Sequence, residues 1–252
     1  MQKIIWMSGN KLKKLSSQNT DSLFTVREGQ PLLYKTKGEK FHRLLAQLLY
    51  IVKRARPDLA PAVPFLTTRV VNPTLDDWRK LRNTVEYLHQ TKDLPLILRC
   101  DPTKPPVWSI DAAYAVHHDC KSHTGGSFTM GKGSFFTVSS KQKVNSKSST
   151  EAELVAVDDC IGHVLRIRHF LLAQGYGAAE TITILQDNQS AMLLEQNGIL
   201  SSTKRTKHIN VRYYFVKSKI DAKEILLKWC SSEKLVGDFF SKPLTGQLFF
   251  GS

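Results

Sequence analysis

Four acidic residues, far apart in the chain, stand where a carboxylate is either costly or conspicuous. Asp111 interrupts the apolar run "WSIDAAY", and a charge inside such a strand needs a cation or hydrogen bonds to offset its desolvation. Strand alternation also allows Asp111 to face solvent, opposite Ile110. In "SSTEAELVAVDDC", Glu153 shares a side with Val157 and Cys160 and so borders the buried stripe of a helix. Its neighbours have other tasks: Ser148 and Glu151 match an S-x-x-E capping box, and Asp158 and Asp159 fall on the outer, solvated face. Asp187 follows "TITIL", at a strand end of the kind where functional groups gather in α/β sheets, although Asp187 or Asn188 also suits a helix cap. Asp238 in "KLVGDFFSKPL" lies between Val236 and Phe239-Phe240. No one of these is decisive alone. Together they are an Asp-Glu-Asp-Asp set of oxygen donors, which suits Mg2+, with Mn2+ as the alternative. Two such ions about 3.5–4 Å apart activate a water and steady the leaving oxygen of a phosphodiester.

The acids meet only if the intervening elements bring them together. Upstream, "FHRLLAQLLYIVKRARPDLAPAV" sets Phe41, Leu44, Leu45, Leu48, Leu49 and Val52 at helical spacing. "TLDDWRKLRNTVEYLHQT" predicts a second helix, capped by Thr74, with Leu75, Trp78, Leu81, Val85 and Leu88 on one face. These are packing elements. A polar, proline-containing stretch from Asp101 to Pro106 marks a boundary. Beyond it come three strand-like runs, a long helix from about Thr150 to Gly175, the strand "TITIL", the helix "NQSAMLLEQ" closed by Gly198, the basic helix "STKRTKHINVRYYFVKSKI", the strand "EILLKWC" and a short last helix. That order predicts an α/β domain with a mixed sheet flanked by helices. It occupies residues 105–248, after a mainly helical region over 1–100.

Composition narrows the partners. The 252 residues carry a formal net charge of +14, which suits a polyanion, most commonly nucleic acid. Lys204, Arg205, Lys207, His208 and Arg212, with Lys141, Lys143 and Lys147, are candidates to track phosphates. Tyr213, Tyr214 and Phe215 beside them read as core. No apolar run approaches the roughly 20 residues of a spanning helix, and "MQKIIWMSGNKLKK" is too short in apolar residues for a secretory signal. Four scattered cysteines, with no C-x-x-C pair, favour reduced thiols in a cytoplasmic or nuclear protein. "HHDCKSH" (His117, His118, Cys120, His123) invites a zinc reading, but one short hairpin supplies every donor, and a polar turn accounts for it better.

The stretches "KSSTEAELVAVDD", "QDNQSAMLLEQNG", "KRTKHINVRYYFV" and "GDFFSKPL" resemble the ribonuclease H domain of Ty/copia-type retrotransposon Pol polyproteins. The upstream "FHRLLAQLLYIVKRARPDLAPAVPFLTTRVVNPTLDDWRKLRNTVEYLHQTKDLPL" is similar to the segment that joins reverse transcriptase to that domain. The resemblance covers roughly residues 40–248 in the correct order. It implies a ribonuclease H-like mixed five-stranded sheet flanked by helices, preceded by a reverse transcriptase C-terminal or connection remnant. The implied activity is hydrolysis of the RNA strand of an RNA-DNA hybrid, with Asp111, Glu153, Asp187 and Asp238 as catalytic metal ligands. Gln189 resembles the family's minor-groove contact, and Ser149 and Thr150 its backbone contacts; 2′-hydroxyls tell RNA from DNA there.

The chain departs from related patterns in two places. Lys228 stands where some cellular relatives have a mobile histidine before the last aspartate, and no Y-x-D-D polymerase signature occurs. The expectation is therefore a fragment of a Pol polyprotein without polymerase activity, acting in the cytoplasm (in a virus-like particle) or the nucleus. The competing expectations are a catalytically inactive nucleic-acid-binding remnant, and a polynucleotidyl transferase of similar fold acting on duplex DNA.

Overall fold

The computed structural model describes residues 23–197 and 207–242, with backbone alone for 197 and 207–213. Its elements in chain order are helices α1 (Lys35–Arg54), α2 (Ala62–Thr67) and α3 (Leu75–Gln90), then strands β1 (Arg99–Cys100), β2 (Val107–Ala113), β3 (His123–Thr129), β4 (Gly131–Lys132) and β5 (Phe136–Lys141). There follow α4 (Ser149–Ala173), β6 (Ile182–Gln186), α5 (Gln189–Asn197), α6 (Lys207–Asp221), β7 (Ile225–Trp229) and α7 (Asp238–Ser241). Five strands form one sheet in the order β5-β3-β2-β6-β7, while β1 and β4 pair separately. β2 runs antiparallel to β3, with Asp111 opposite Gly125, and parallel to β6. β3 is antiparallel to β5, and β6 is parallel to β7.

The sheet is mixed because the connections differ. The turn over residues 114–122, which has no glycine and puts Ala115 and Cys120 at positive φ, returns β2 to β3. A turn with Gly131 and Gly133 returns β3 to β5, giving an antiparallel meander; helical crossovers bring β6 and β7 back parallel. Trp108, Ile110 and Ala112, alternating along β2, pack under α4 with its Ala152, Ala156, Val157, Cys160 and Val164. Only small or branched side chains line that part of α4, so helix and sheet approach closely. The N-terminus of α4 departs from the expected capping box. Ser148 Oγ accepts from the Glu151 N–H at 3.2 Å, but Glu151 Oε2 accepts from the Lys147 N–H at 2.6 Å. The side chain reaches one residue further upstream than a reciprocal box requires.

The helical layer has a second core. Phe41, Leu45, Leu48 and Val52 of α1 meet Val63, Phe65, Leu66 and Leu81, joined by Phe240 from α7. Thr74 closes a complete capping box with Asp77. The expected stripe of α3 is rotated: Leu75 and Val85 are exposed, while Asp76, Asp77, Lys80 and Thr84 are buried. Those charges tolerate burial because they are paired, Lys80 with Asp76 at 3.1 Å and Arg69 with Asp77 at 3.4 Å. Arg56 is likewise buried, gripping both carboxylate oxygens of Asp58 at 2.9 and 2.7 Å.

"HHDCKSH" does form a turn, in which the Cys120 N–H donates to His117 O at 2.8 Å. It is less polar than expected. His117 and His123 are buried, hydrogen-bonded to each other at 3.0 Å, and packed against Phe24, with Phe65 stacked on His117. His123 continues to Ser139 Oγ at 2.9 Å. All four cysteines are free thiols. No described helix is long and apolar enough to cross a membrane.

Candidate metal centre

Asp111 is 1% exposed, so the solvent-facing alternative for this residue is excluded. Two glycines create the space above it. A Cβ on Gly125, the cross-strand partner of Asp111, would lie 2.4 Å from the backbone nitrogen of Ser241 and 2.6 Å from Gly237 O. A Cβ on Gly237 would lie 3.0 Å from Asp111 N. The first contact leaves no room for a side chain and the second is tight against backbone, so α7 rests directly on the backbone of β2 and β3. That docking sets Asp238, the first residue of α7, beside Asp111. It also lets Ser241 Oγ donate a hydrogen bond to Asp111 Oδ2. Lys242 Nζ follows, 2.9 Å from Asp238 Oδ1 and 3.4 Å from Asp111 Oδ2.

Asp187 arrives from the other side. Because β6 is parallel to β2, its carboxyl end lies beside the carboxyl end of β2. Asn188, not Asp187, caps α5, its Oδ1 accepting from the Ala191 N–H at 3.0 Å. The Asp187 carboxylate is therefore released from helix-capping duty and accepts from Ser232 Oγ at 2.6 Å. Carboxylate oxygens of Asp111, Asp187 and Asp238 lie within 4.8 Å of one another.

Glu153 completes the acidic neighbourhood from α4. It is buried, and its Oε1 accepts from the Ala112 N–H at 3.2 Å. Its Oε2 is buried with no N–H or O–H donor among the described residues. Burial first, and the Asp111 charge second, push the Glu153 carboxyl well above the usual carboxylate range; Asp187 adds to this and the Ala112 N–H opposes it. Asp238 is raised to about 6, again by burial and then by Asp111, against the pull of Lys242. Burial works against the Lys242 ammonium, yet Asp111 and Asp238 hold it above its ordinary value.

These residues fit a hard divalent cation. Every donor is a carboxylate oxygen, one buried oxygen lacks a partner, and the acids are too close to stay charged without compensation. With their oxygens within 4.8 Å of one another, the three aspartates would be the residues to hold such an ion.

Of the nucleic-acid candidates, Gln189 and Ser149 are exposed and Thr150 is half-buried, at the starts of α5 and α4. Lys204 and Arg205 lie outside the described residues, and Lys207, His208, Arg212 and Tyr213 are described by backbone alone, on α6. Lys141 pairs with Asp119 at 2.8 Å. Tyr214 and Phe215, expected in the core, are 63% and 43% exposed; Val216 is the neighbour that α6 buries. Lys228 is exposed on β7.

Sequence reasoning missed Ser241 and Lys242, although Lys242 stands four residues after Asp238, where helical side chains meet. It also missed Gln186 and Glu195, which are fully buried with none of their four side-chain polar atoms hydrogen-bonded among the described residues. Burial drives the Glu195 carboxyl well above its ordinary value, opposed by the Gln186 amide. Gln186 immediately precedes Asp187, so this polar pair lies directly under the strand end.

An antiparallel β2-β3-β5 meander, a long helix, then β6 and β7 added parallel on the far side of β2, define an α/β fold of the ribonuclease H-like class. The chain is similar over nearly its whole length to Pol polyproteins of Ty1/copia-type retrotransposons. It is 26% identical over 263 aligned residues to the retrovirus-related Pol polyprotein from transposon TNT 1-94 of Nicotiana tabacum, covering 97% of this chain and 20% of that protein. It is 28% identical to the Pol polyprotein from transposon RE2 of Arabidopsis thaliana, covering 91% and 16%. It is 25% identical to the Ty1-NL2 Gag-Pol polyprotein of Saccharomyces cerevisiae, covering 94% and 14%. The chain thus spans a fifth or less of the length of these relatives. No protein-family model matches it. Similar solved structures include the N-terminal RNase H domain of a Mycobacterium tuberculosis protein (13% identity, 55% of this chain and 91% of that one, TM-score 0.40). Another is the foamy viral protease-reverse transcriptase in complex with double-stranded DNA (12% identity, 86% and 35%, TM-score 0.48).

Proposed function

We propose that this chain is the ribonuclease H portion of a retrotransposon Pol polyprotein, hydrolysing the RNA strand of RNA-DNA hybrids. The observation that carries the reading is the convergence of Asp111, Asp187 and Asp238 within 4.8 Å, with buried Glu153 beside Asp111. Asp111, Glu153, Asp187 and Asp238 would hold two Mg2+ ions, or Mn2+ in their place. Such ions would supply Lewis acidity towards an attacking water and positive charge at the leaving oxygen.

The protein's own groups do the rest. The Ala112 N–H and Ser232 Oγ orient Glu153 and Asp187, and Ser241 Oγ orients Asp111. Gln189, Ser149 and Thr150, at the starts of α5 and α4, are assigned to the minor groove and backbone of the hybrid. Lys204, Arg205, Lys207 and Arg212 are assigned to its phosphates, which makes binding salt-dependent. The helices over residues 35–90 are read as the end of the reverse transcriptase or its connection region. They would carry no polymerase chemistry, and they bury a shared core with Phe240 of α7. The setting is cytoplasmic or nuclear, with the rest of a Pol polyprotein as partner.

A labelled RNA-DNA hybrid incubated with the protein and Mg2+ tests this. Metal-dependent cleavage of the RNA strand is expected, with duplex DNA left intact and a loss on the order of 10²–10³-fold or more in Asp187→Asn. Absence of cleavage by folded protein, or undiminished cleavage by the variant, refutes it. Salt-sensitive hybrid binding without turnover selects a binding-only remnant instead.

A further inference from the structure

Among the described residues, one cation reaches the acidic cluster, Lys242, which has no role in the reading given so far. Lys242 Nζ contacts two of the three converging aspartates, Asp238 at 2.9 Å and Asp111 at 3.4 Å. Its backbone is anchored independently: the Lys242 N–H donates to Asp238 O at 3.1 Å, in the same turn that seats Ser241 on Asp111. The side chain itself is 42% exposed. It is therefore a positive charge on a flexible four-carbon stem, fixed at its base and free to swing into solvent.

A divalent ion held by Asp111 and Asp238 would draw on the same two carboxylates that Lys242 contacts. Ammonium and metal therefore compete for them, because like charges brought to one pair of carboxylates repel each other. We propose that Lys242 is the internal counter-cation of the cluster, holding Asp111 and Asp238 together in the metal-free protein and giving up its place when a divalent ion enters. The proposal rests on the reading that the cluster takes divalent ions. Lys242 is in this sense a positioning residue: it keeps the acids in register before loading and raises the threshold at which loading occurs.

Reciprocity fixes the signs. If metal and Lys242 compete, removing the ammonium tightens metal binding, and metal binding weakens what the ammonium contributes. The experiment compares the full chain with Lys242→Met and the charge-keeping Lys242→Arg in two measurements. One is thermal unfolding in chelator and in saturating Mn2+; the other is calorimetric titration with Mn2+.

In chelator, Lys242→Met is expected to melt several degrees below wild type and Lys242→Arg close to it. In saturating Mn2+ the deficit of Lys242→Met disappears. Its Mn2+ affinity rises roughly tenfold, within the usual range of coupling between two sites. A deficit equal in chelator and metal, or no deficit at all, overturns the counter-cation role. Unchanged or weaker Mn2+ binding by Lys242→Met, with wild type binding normally, overturns the exchange alone. Failure of both proteins to bind Mn2+ overturns the nuclease reading and the exchange together.

Discussion

Replacing a metal-ligand candidate should make the metal-free protein more stable, and Asp238→Asn is the substitution to test. Asp238 is half-buried beside Asp111, and burial followed by that charge raises its carboxyl from 3.8 to about 6. The folded state thus binds the Asp238 proton more tightly than the unfolded state does. Stability therefore falls as pH rises between those values, and the penalty is complete above about 6. At about 1.4 kcal/mol per pH unit, the gap corresponds to about 3 kcal/mol at most. Partial solvation and the reach of Lys242 reduce the expectation to about 1–2 kcal/mol. For a chain of this size that is a rise of roughly 3–6 °C in Tm.

The measurement is thermal unfolding of wild type and Asp238→Asn in chelator from pH 4 to 8. The variant should melt higher at pH 7.5, with the difference shrinking through pH 6 and vanishing near pH 4. Saturating metal should reverse the order, because only wild type keeps the full ligand set. A variant that is less stable in chelator at pH 7.5, or a difference that ignores pH, would show that the crowding of Asp238 against Asp111 is not the dominant electrostatic fact of the site.

Two other outcomes follow from neighbouring geometry. Gly125→Ala places a Cβ against the backbone of Ser241, Gly237 and Phe240 at 2.4–2.7 Å. Since backbone atoms cannot rotate away, α7 must lift, at roughly 1–3 kcal/mol and with weakened metal binding; wild-type melting together with wild-type Mn2+ affinity would contradict this. The buried His117 and His123 are held down to about 4 and about 3, by burial first, then by Lys141 for His117 and by His117 for His123. Their contribution is present above pH 6.5 and lost as pH falls towards 4, by about 2 kcal/mol for each at pH 5. The difference between the profiles of wild type and His117→Phe, in which the raised carboxyls Asp238, Glu153 and Glu195 titrate alike, should show that loss; a difference that stays flat between pH 7 and 5 would exclude it.

The sequence by itself determined much of this protein. Periodicity, caps and turn residues are local, so α1, α4 and the strands around Asp111 and Asp187 were legible from neighbouring residues alone. The order of the acids along those elements, and their match to known motifs, pointed to one pocket. Other features depended on which surfaces meet. Leu75 and Val85 read as core, but α3 turned its paired charges inward, because Arg69 and Lys80 could reach Asp77 and Asp76. Tyr214 and Phe215 read as core, yet α6 turns Val216 into the sheet's hydrophobic cluster and leaves both aromatics exposed. The histidines of a polar-looking turn became a buried pair because Phe24 and Phe65, from distant segments, closed over them. Lys242 acquired its place only when two glycines let α7 settle on bare backbone above Asp111. Patterns along a chain encode which face an element can bury. Whether Asp111 meets Ser241 and Lys242 is decided by a contact between segments more than a hundred residues apart, and only tertiary packing makes it.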